Sequence, residues 1–334
     1  MLVTGAAGLY GVHLVDALVR RQDVERVIAV DNFSRHFDVP DPFLPSDEAA
    51  AKVQLHRRRF QDLTTHDLNR WEVDAVIHLA AYVSIDESME QPWRYFQNNE
   101  QGTFHLARVL MASERRPVLI YASSPEVYGA PRYVPLDEDH PSYPKSVYAV
   151  TKLAAEKHCQ SLYQWYGYPV IIIRNFNTFG ENQNTAGHAA VIPSFIAKAL
   201  GGQPLTIQGE GTQTRDFMYV KDAVRAYCQV LDGRDRLAGQ TLNIGTGTET
   251  SIESLARIII DLTGSPSSIV KTKARQGDLP RLLADISRIK ALTGWEPQYT
   301  LTEGLRRTIA WYEKFLGRSP GSPISGPAAG LEQW

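Results

Sequence analysis

A short apolar run from Met1 passes directly into Thr4-Gly5-Ala6-Ala7-Gly8-Leu9-Tyr10-Gly11, and Val12, Leu14, Val15, Leu18 and Val19 follow at helical spacing. This order of strand, glycine turn and helix constrains the chain more than any other feature. Glycines at such a turn let the backbone approach a pyrophosphate. The helix N-terminus adds free N–H groups and the positive end of a dipole. A glycine triplet alone carries little weight, but a place between strand and helix is the context it needs. Asp31 closes the next apolar run, Val27 to Val30, twenty residues after Gly11. An acid there accepts hydrogen bonds from an adenosine ribose and repels a 2′-phosphate, so NAD is expected rather than NADP.

Further apolar runs lie at Val53 to Leu55, Ala75 to Leu79, Val118 to Ala122 and Val170 to Arg174. Helical patterns cover about Trp93 to Ser113 and Val147 to Tyr166. Strands without polar alternation are buried on both faces. Alternating them with helices predicts an α/β fold, a Rossmann-type doubly wound parallel sheet. After about Asn177 the pattern changes to a Gly/Asn-rich loop (Gly180 to Gly187), a helix at Val191 to Leu200, and short strands around Leu205 to Gln208 and Thr241 to Ile244. The expected division is a cofactor-binding domain over 1–177, a smaller mixed α/β substrate lobe over 178–317, and a flexible tail over 318–334. Some later segments, such as a helix at Leu301 to Phe315, are expected to return to the first domain. Asp38 to Ala51 reads as a loop.

Composition excludes several classes. With 43% hydrophobic and 22% charged residues the chain is neither disordered nor fibrous. Lys plus Arg (35) nearly balances Asp plus Glu (37), which argues against a nucleic-acid partner. Two cysteines, Cys159 and Cys228, cannot make a disulfide framework, and the nine scattered histidines form no HExxH pair, so no metal is expected. No run reaches the ~20 apolar residues of a membrane span. No signal-type segment opens the chain. A cytoplasmic protein is expected.

Tyr148 and Lys152 lie four residues apart on a predicted helix, hence on one face. A phenol of pKa ~10 is a poor base at neutral pH. A neighbouring ammonium together with a cationic nicotinamide ring would stabilise its phenolate and lower that pKa. Ser124, at the end of the fifth predicted strand, can hydrogen-bond the reacting hydroxyl or carbonyl oxygen.

Several matches occur in one order: Gly5/Gly8/Gly11, Asp31-Asn32, Asp62-Leu63, His78-Leu79-Ala80-Ala81, Asn99 with Gly102-Thr103, Ser123-Ser124 and Tyr148-x-x-x-Lys152. Together they resemble the extended short-chain dehydrogenase/reductase family over about Met1 to Phe315. The resemblance implies that Leu9 and Tyr10 join the glycines at the cofactor. It implies that Asp62 and Leu63 flank the adenine, that Leu79, Ala80 and Ala81 line the cofactor, and that Asn99 lies just behind the active site. The lead into the first strand is shorter than the family's.

Within that family the resemblance points to nucleotide-sugar enzymes. The dehydratases among them carry Asp-Glu where this chain has Pro125-Glu126. Proline cannot act as an acid, so half of that pair is missing, while Glu126 leaves carbon-5 chemistry open. Arg174-Asn175-Phe176-Asn177 resembles the Arg-Tyr-Phe-Asn of epimerases. Ser84, Asn177, Val191, Thr206, Arg215, Arg275 and Asp278 are the implied substrate contacts, with the two arginines clamping a diphosphate. Leu282 falls where related epimerases gate the carbon-2 substituent, and its intermediate size does not decide. The implied activity is a UDP-hexose 4-epimerase working through a transient 4-keto sugar. A 4,6-dehydratase or a UDP-glucuronate decarboxylase using Glu126 is the alternative. A non-catalytic NAD-binding regulator would usually lack Tyr148 or Lys152. The family also implies a homodimer through the helices at 93–113 and 147–166, where Leu106, Val109, Leu110, Leu153 and Leu162 are compatible with an interface or with the core.

Overall fold

A computed structural model describes residues 1–34, 48–184, 190–275 and 277–315. Residues 38–47 of the expected loop, 185–187 of the Gly/Asn-rich loop, and the 318–334 tail lie outside the described residues.

The first half alternates as follows: β1 (Leu2–Thr4), α1 (Leu9–Val19), β2 (Val27–Asp31), β3 (Val53–Arg57), α2 (Thr65–Arg70), β4 (Ala75–His78), α3 (Ile85–Glu90), α4 (Pro92–Tyr95), α5 (Gly102–Ala112), β5 (Val118–Ser123), α6 (Val147–Tyr166) and β6 (Val170–Asn175). The second half continues with β7 (Asn177–Phe179), α7 (Val191–Leu200), β8 (Leu205–Gln208), β9 (Thr214–Tyr219), α8 (Val220–Asp232), α9 (Arg234–Leu237), β10 (Thr241–Ile244), β11 (Glu249–Ser251), α10 (Ile252–Thr263), β12 (Ile269–Thr272), β13 (Arg281–Leu282), α11 (Ser287–Thr293) and α12 (Leu301–Phe315).

A seven-stranded sheet runs β10-β6-β5-β4-β1-β2-β3, and every pairing in it is parallel. Its inner strands β1, β4, β5 and β6 are buried at every residue, as their apolar runs require, and each ends in a buried polar residue at its carboxyl end. One face packs under α1 and α8 through Leu14, Leu18, Val220 and Tyr227. The other packs under α2, α5 and α6 through Leu68, Leu106, Leu110, Ala155 and Leu162. Leu106, Leu110 and Leu162 therefore serve the core. Strand order reverses between β1 and β4, which opens a crevice at the carboxyl ends of the strands.

Two expectations are corrected by this topology. Thr241–Ile244 joins the large sheet as its outermost strand beside β6, instead of belonging to the small lobe. The last helix, α12, stays with the small lobe: Gly304 lies against Phe179 and Tyr219, where an added Cβ would come within 2.8 Å of the Phe179 ring. The small lobe itself holds a β11-β9-β13 sheet, with β7 also paired to β9, and a separate β12-β8 pair. The single helix expected over 93–113 is broken by a π-helical turn at Phe96–Gln101 between α4 and α5. No helix among the described residues is long and apolar enough to cross a membrane. Cys159 and Cys228 are both free.

Candidate active site

The glycine turn is held by contacts that no larger residue could make. Gly5 has φ +69°, and a Cβ there would meet Ala80 N at 2.6 Å. A Cβ on Gly11 would lie 2.3 Å from Gly5 O. The first turn of α1 thus packs directly on the glycine loop. Gly8 caps α1 without any side-chain hydrogen bond, so the first-turn amides remain available to an anion. Asp31 braces the same turn: its carboxylate accepts from Ala7 N at 2.9 Å and from Phe33 N at 2.7 Å.

This turn forms one end of a cavity of about 1420 Å³ that follows the strand ends into the small lobe. Its wall carries Gly5, Gly8, Leu9, Tyr10, Gly11, Asp31 and Asn32 at the β1–β2 end, then Leu79, Ala80, Ala81 and Ser84 after β4. Ser124, Glu126, Tyr148 and Lys152 follow in the middle. Asn177, Val191, Thr206, Arg215, Arg275 and Asp278 line the small-lobe side.

Four residues singled out from sequence are placed elsewhere. A 3-10 turn at Phe60–Asp62 leaves Asp62 exposed and drops Leu63 into the core, and Arg58 and Phe60 take the wall instead. Asn99 is buried in the π-helical turn, behind the wall. Its side chain accepts from Tyr82 N and donates to Tyr82 O, each at 2.9 Å, and so fixes a backbone segment that does line the cavity. Leu282 is fully buried against Tyr128, Leu136 and Phe176 and does not reach the cavity, so it cannot gate a bound sugar. Sequence reasoning missed Phe60, Tyr82, Ser146 and Phe217 on the wall. Only Ser146 left a trace, as a serine just before a helix.

Ser124, at the end of β5, accepts a hydrogen bond from Glu126 N at 3.3 Å and stands close enough to the Tyr148 hydroxyl to pull its pKa down. Ser146 caps α6, accepting from Ala149 N at 3.1 Å, which sets the helix end that presents Tyr148. Lys152, one turn on, donates to Ala122 O and lies 4.3 Å from the Tyr121 ring centroid. Burial pushes the Tyr148 phenol up to about 12, against the Ser124 hydrogen bond, which pulls it down. Burial also pushes Lys152 down to about 7, against the charge of Glu156. The lowering expected from sequence calls on the nicotinamide charge as well as the ammonium, and in the protein alone burial sets the direction. Both side chains are buried, and the lysine is tied to a strand carbonyl rather than to the phenol.

On the small-lobe side the two expected clamp arginines are already engaged. Arg215 pairs with Asp278 at 2.6 Å and donates to Leu279 O at 2.8 Å. Arg275 reaches across the cavity to Asp86 on α3 at 2.6 Å. Burial raises the Glu126 pKa, while Arg215 and Arg275 lower it, so this carboxyl faces the same charged end. Asn175 spends its amide on Ser123 O at 3.1 Å and the Tyr227 hydroxyl at 3.0 Å. No cluster of His, Cys, Asp and Glu suited to a metal occurs among the described residues.

The GDP-mannose 4,6 dehydratase family model matches residues 2–308. The chain belongs to this family. A putative UDP-glucose 4-epimerase of Methanocaldococcus jannaschii is 34% identical, covering 93% of this chain and 97% of its own. A UDP-N-acetyl-alpha-D-glucosaminuronate decarboxylase of Bacillus cytotoxicus is 31% identical, covering 94% and 97%. Among solved structures, the UDP-glucuronic acid 4-epimerase of Bacillus cereus, in complex with UDP-glucuronic acid and NAD, superimposes with a TM-score of 0.85 at 28% identity, covering 94% of this chain and 98% of that one. The resemblance to extended short-chain dehydrogenases/reductases thus holds over nearly the whole chain. Family members are enzymes of nucleotide sugars that epimerise, dehydrate or decarboxylate.

Proposed function

We propose that the chain is a cytoplasmic NAD-dependent nucleotide-sugar 4-epimerase acting on a UDP-hexose of the UDP-glucose/UDP-galactose type. One observation carries this reading: Ser124, Tyr148 and Lys152 converge on one cavity wall whose next residue after Ser124 is Pro125, not an acid. A dehydratase needs an acid and a base side by side, and only Glu126 is present there.

The cavity fits a dinucleotide. The uncapped amides of α1 and the Gly8 backbone face it, Asp31 retains lone pairs for a ribose, and a side chain at Gly5 or Gly11 would collide with backbone. Bound NAD would supply the oxidation of sugar carbon 4 and its reversal. Tyr148 takes the proton from the 4-hydroxyl and later gives it back. Its raised pKa keeps Tyr148 a neutral phenol in the bare protein, so it acts as a base only after losing its own proton to solvent, which positive charge brought beside it would favour. Ser124, on the same cavity wall as Tyr148, holds the reacting oxygen in line. Arg215 and Arg275 exchange Asp278 and Asp86 for the diphosphate, which stays anchored while the keto sugar turns its other face.

Glu126 supports a second reading. It is raised by burial and faces the substrate end, as a decarboxylase or dehydratase acid would. Mass spectrometry of the products from a UDP-sugar panel divides the readings. Unchanged mass with altered proton couplings supports epimerisation, and loss of water or carbon dioxide overturns it. We also propose a homodimer through α4–α5 and α6, which expose Trp93 and Val150. Its check is the molar mass in solution.

A further inference from the structure

The reaction proposed above leaves unused a group of arginines at the far edge of the large sheet. Strand β3 ends in His56-Arg57 and continues into Arg58-Arg59. Between β3 and α2 lies a second cavity of about 400 Å³, lined by Arg26, Arg58, Arg70, His56 and Asp67 around Trp71. Three guanidinium groups thus face one carboxylate. That carboxylate is heavily committed: Asp67 pairs with Arg58 at 2.8 Å and accepts from Thr64 N at 2.9 Å and Thr64 Oγ1 at 2.8 Å. Arg26 is anchored to Trp71 O at 2.8 Å. The His56 ring rests on Trp71 with centroids 4.5 Å apart, which fixes its direction.

Two nitrogens of the residues that line it, Nε2 of His56 and Nε of Arg58, are shielded from solvent and have no hydrogen-bond partner among the described residues. Buried polar groups left without partners are costly and uncommon. Both belong to the one concave, net-positive site at this edge. A group with several strong acceptor oxygens and a double negative charge would answer the surplus guanidinium charge of this wall.

We propose that this cavity binds the phosphate group of a small phosphorylated metabolite, at a site separate from the catalytic cavity. Arg58 stands in the wall of both cavities, so the new site adjoins the adenine end of the dinucleotide groove. His56 is its natural reporter. Burial and Arg58 hold the His56 pKa down, with Arg70 acting the same way and Asp67 opposing, so the ring is neutral at pH 7. A phosphate among these groups reverses the local field and raises that pKa.

The test follows the His56 imidazole signal by NMR in the full chain, assigned with His56→Gln. Inorganic phosphate is added at constant ionic strength. The expected result is a saturable shift and a His56 pKa higher by about one unit. Arg70→Ala should weaken phosphate binding about tenfold. Glucose 1-phosphate and AMP then distinguish a sugar phosphate from a nucleotide as the natural source, whichever binds more tightly than phosphate itself. Phosphate held by Arg215 and Arg275 would not move His56, so failure of the epimerase reading leaves this result intact. A His56 signal that does not respond, a response that chloride reproduces, or an unchanged affinity in Arg70→Ala overturns the proposal.

Discussion

Glu156→Gln removes the charge from one half of an ion pair buried from solvent. Glu156 is 0% exposed and Arg174 3%. The guanidinium meets the carboxylate through two nitrogens, Nε at 3.2 Å and Nη2. Ser123 Oγ donates to the same carboxylate at 2.8 Å. The rest of Arg174 is satisfied by Glu138 O at 3.3 Å and by the Tyr128 ring at 4.6 Å. Burial alone would lower the Arg174 pKa, but Glu156 outweighs it and the net direction is upward. With glutamine at 156 the arginine stays charged and buried without its counter-ion. Breaking such a pair costs about 3–5 kcal/mol. Glutamine keeps the volume and one acceptor oxygen, so the lower end, about 3 kcal/mol, is expected. Urea unfolding followed by tryptophan fluorescence at neutral pH measures it. Replacing both partners, Glu156→Leu with Arg174→Met, should recover most of the loss, because two neutral side chains leave no isolated charge. A loss below about 1 kcal/mol in Glu156→Gln, or a double variant no better than the single one, refutes the argument.

Three further outcomes follow from the same site. Tyr148→Phe should cut turnover about a hundredfold or more while dinucleotide affinity, measured by calorimetry, holds; intact turnover removes Tyr148 from the chemistry. Lys152 titrates near 7 in the fold against an ordinary 10.5, so the unfolded chain binds more protons between those values, and stability should climb with pH across that window by up to about 1.4 kcal/mol per unit. Lys152→Met should flatten that slope in urea titrations at several pH values, and an unchanged slope contradicts the burial argument. Gly11→Ala places a Cβ 2.3 Å from Gly5 O and 2.4 Å from Ala6 O, backbone atoms that cannot rotate away, so it should cost at least about 1–3 kcal/mol and the dinucleotide affinity with it. Wild-type affinity in that variant would mean that the turn relaxes freely.

The inner strands were legible because their burial is written in consecutive residues, as in Val-Ile-Ile-Ile of β6. The glycine turn and the Tyr148–Lys152 pair were legible for the same local reason. Thr241–Ile244 was not, since a four-residue strand with two apolar side chains, Leu242 and Ile244, looks alike in either sheet. Only the packing of α8 beside α1 carries that strand back to β6. Asp62 was displaced by a 3-10 turn that no periodicity announces. The charge states were the least accessible. Spacing puts an ammonium near a phenol, but only the closed packing shows that both are buried and that this outweighs their proximity.

That burial has a structural origin in α6. Tyr148, Lys152 and Glu156 recur every four residues along one face of this helix, and the face points inward at the ends of β5 and β6. The first lines the cavity, the second bonds a β5 carbonyl, and the third grips both strands through Ser123 and Arg174. A slide of α6 by even one residue would break the buried ion pair as it moved the phenol. The costly charges at the base of the site thus fix the register of the helix that carries its base.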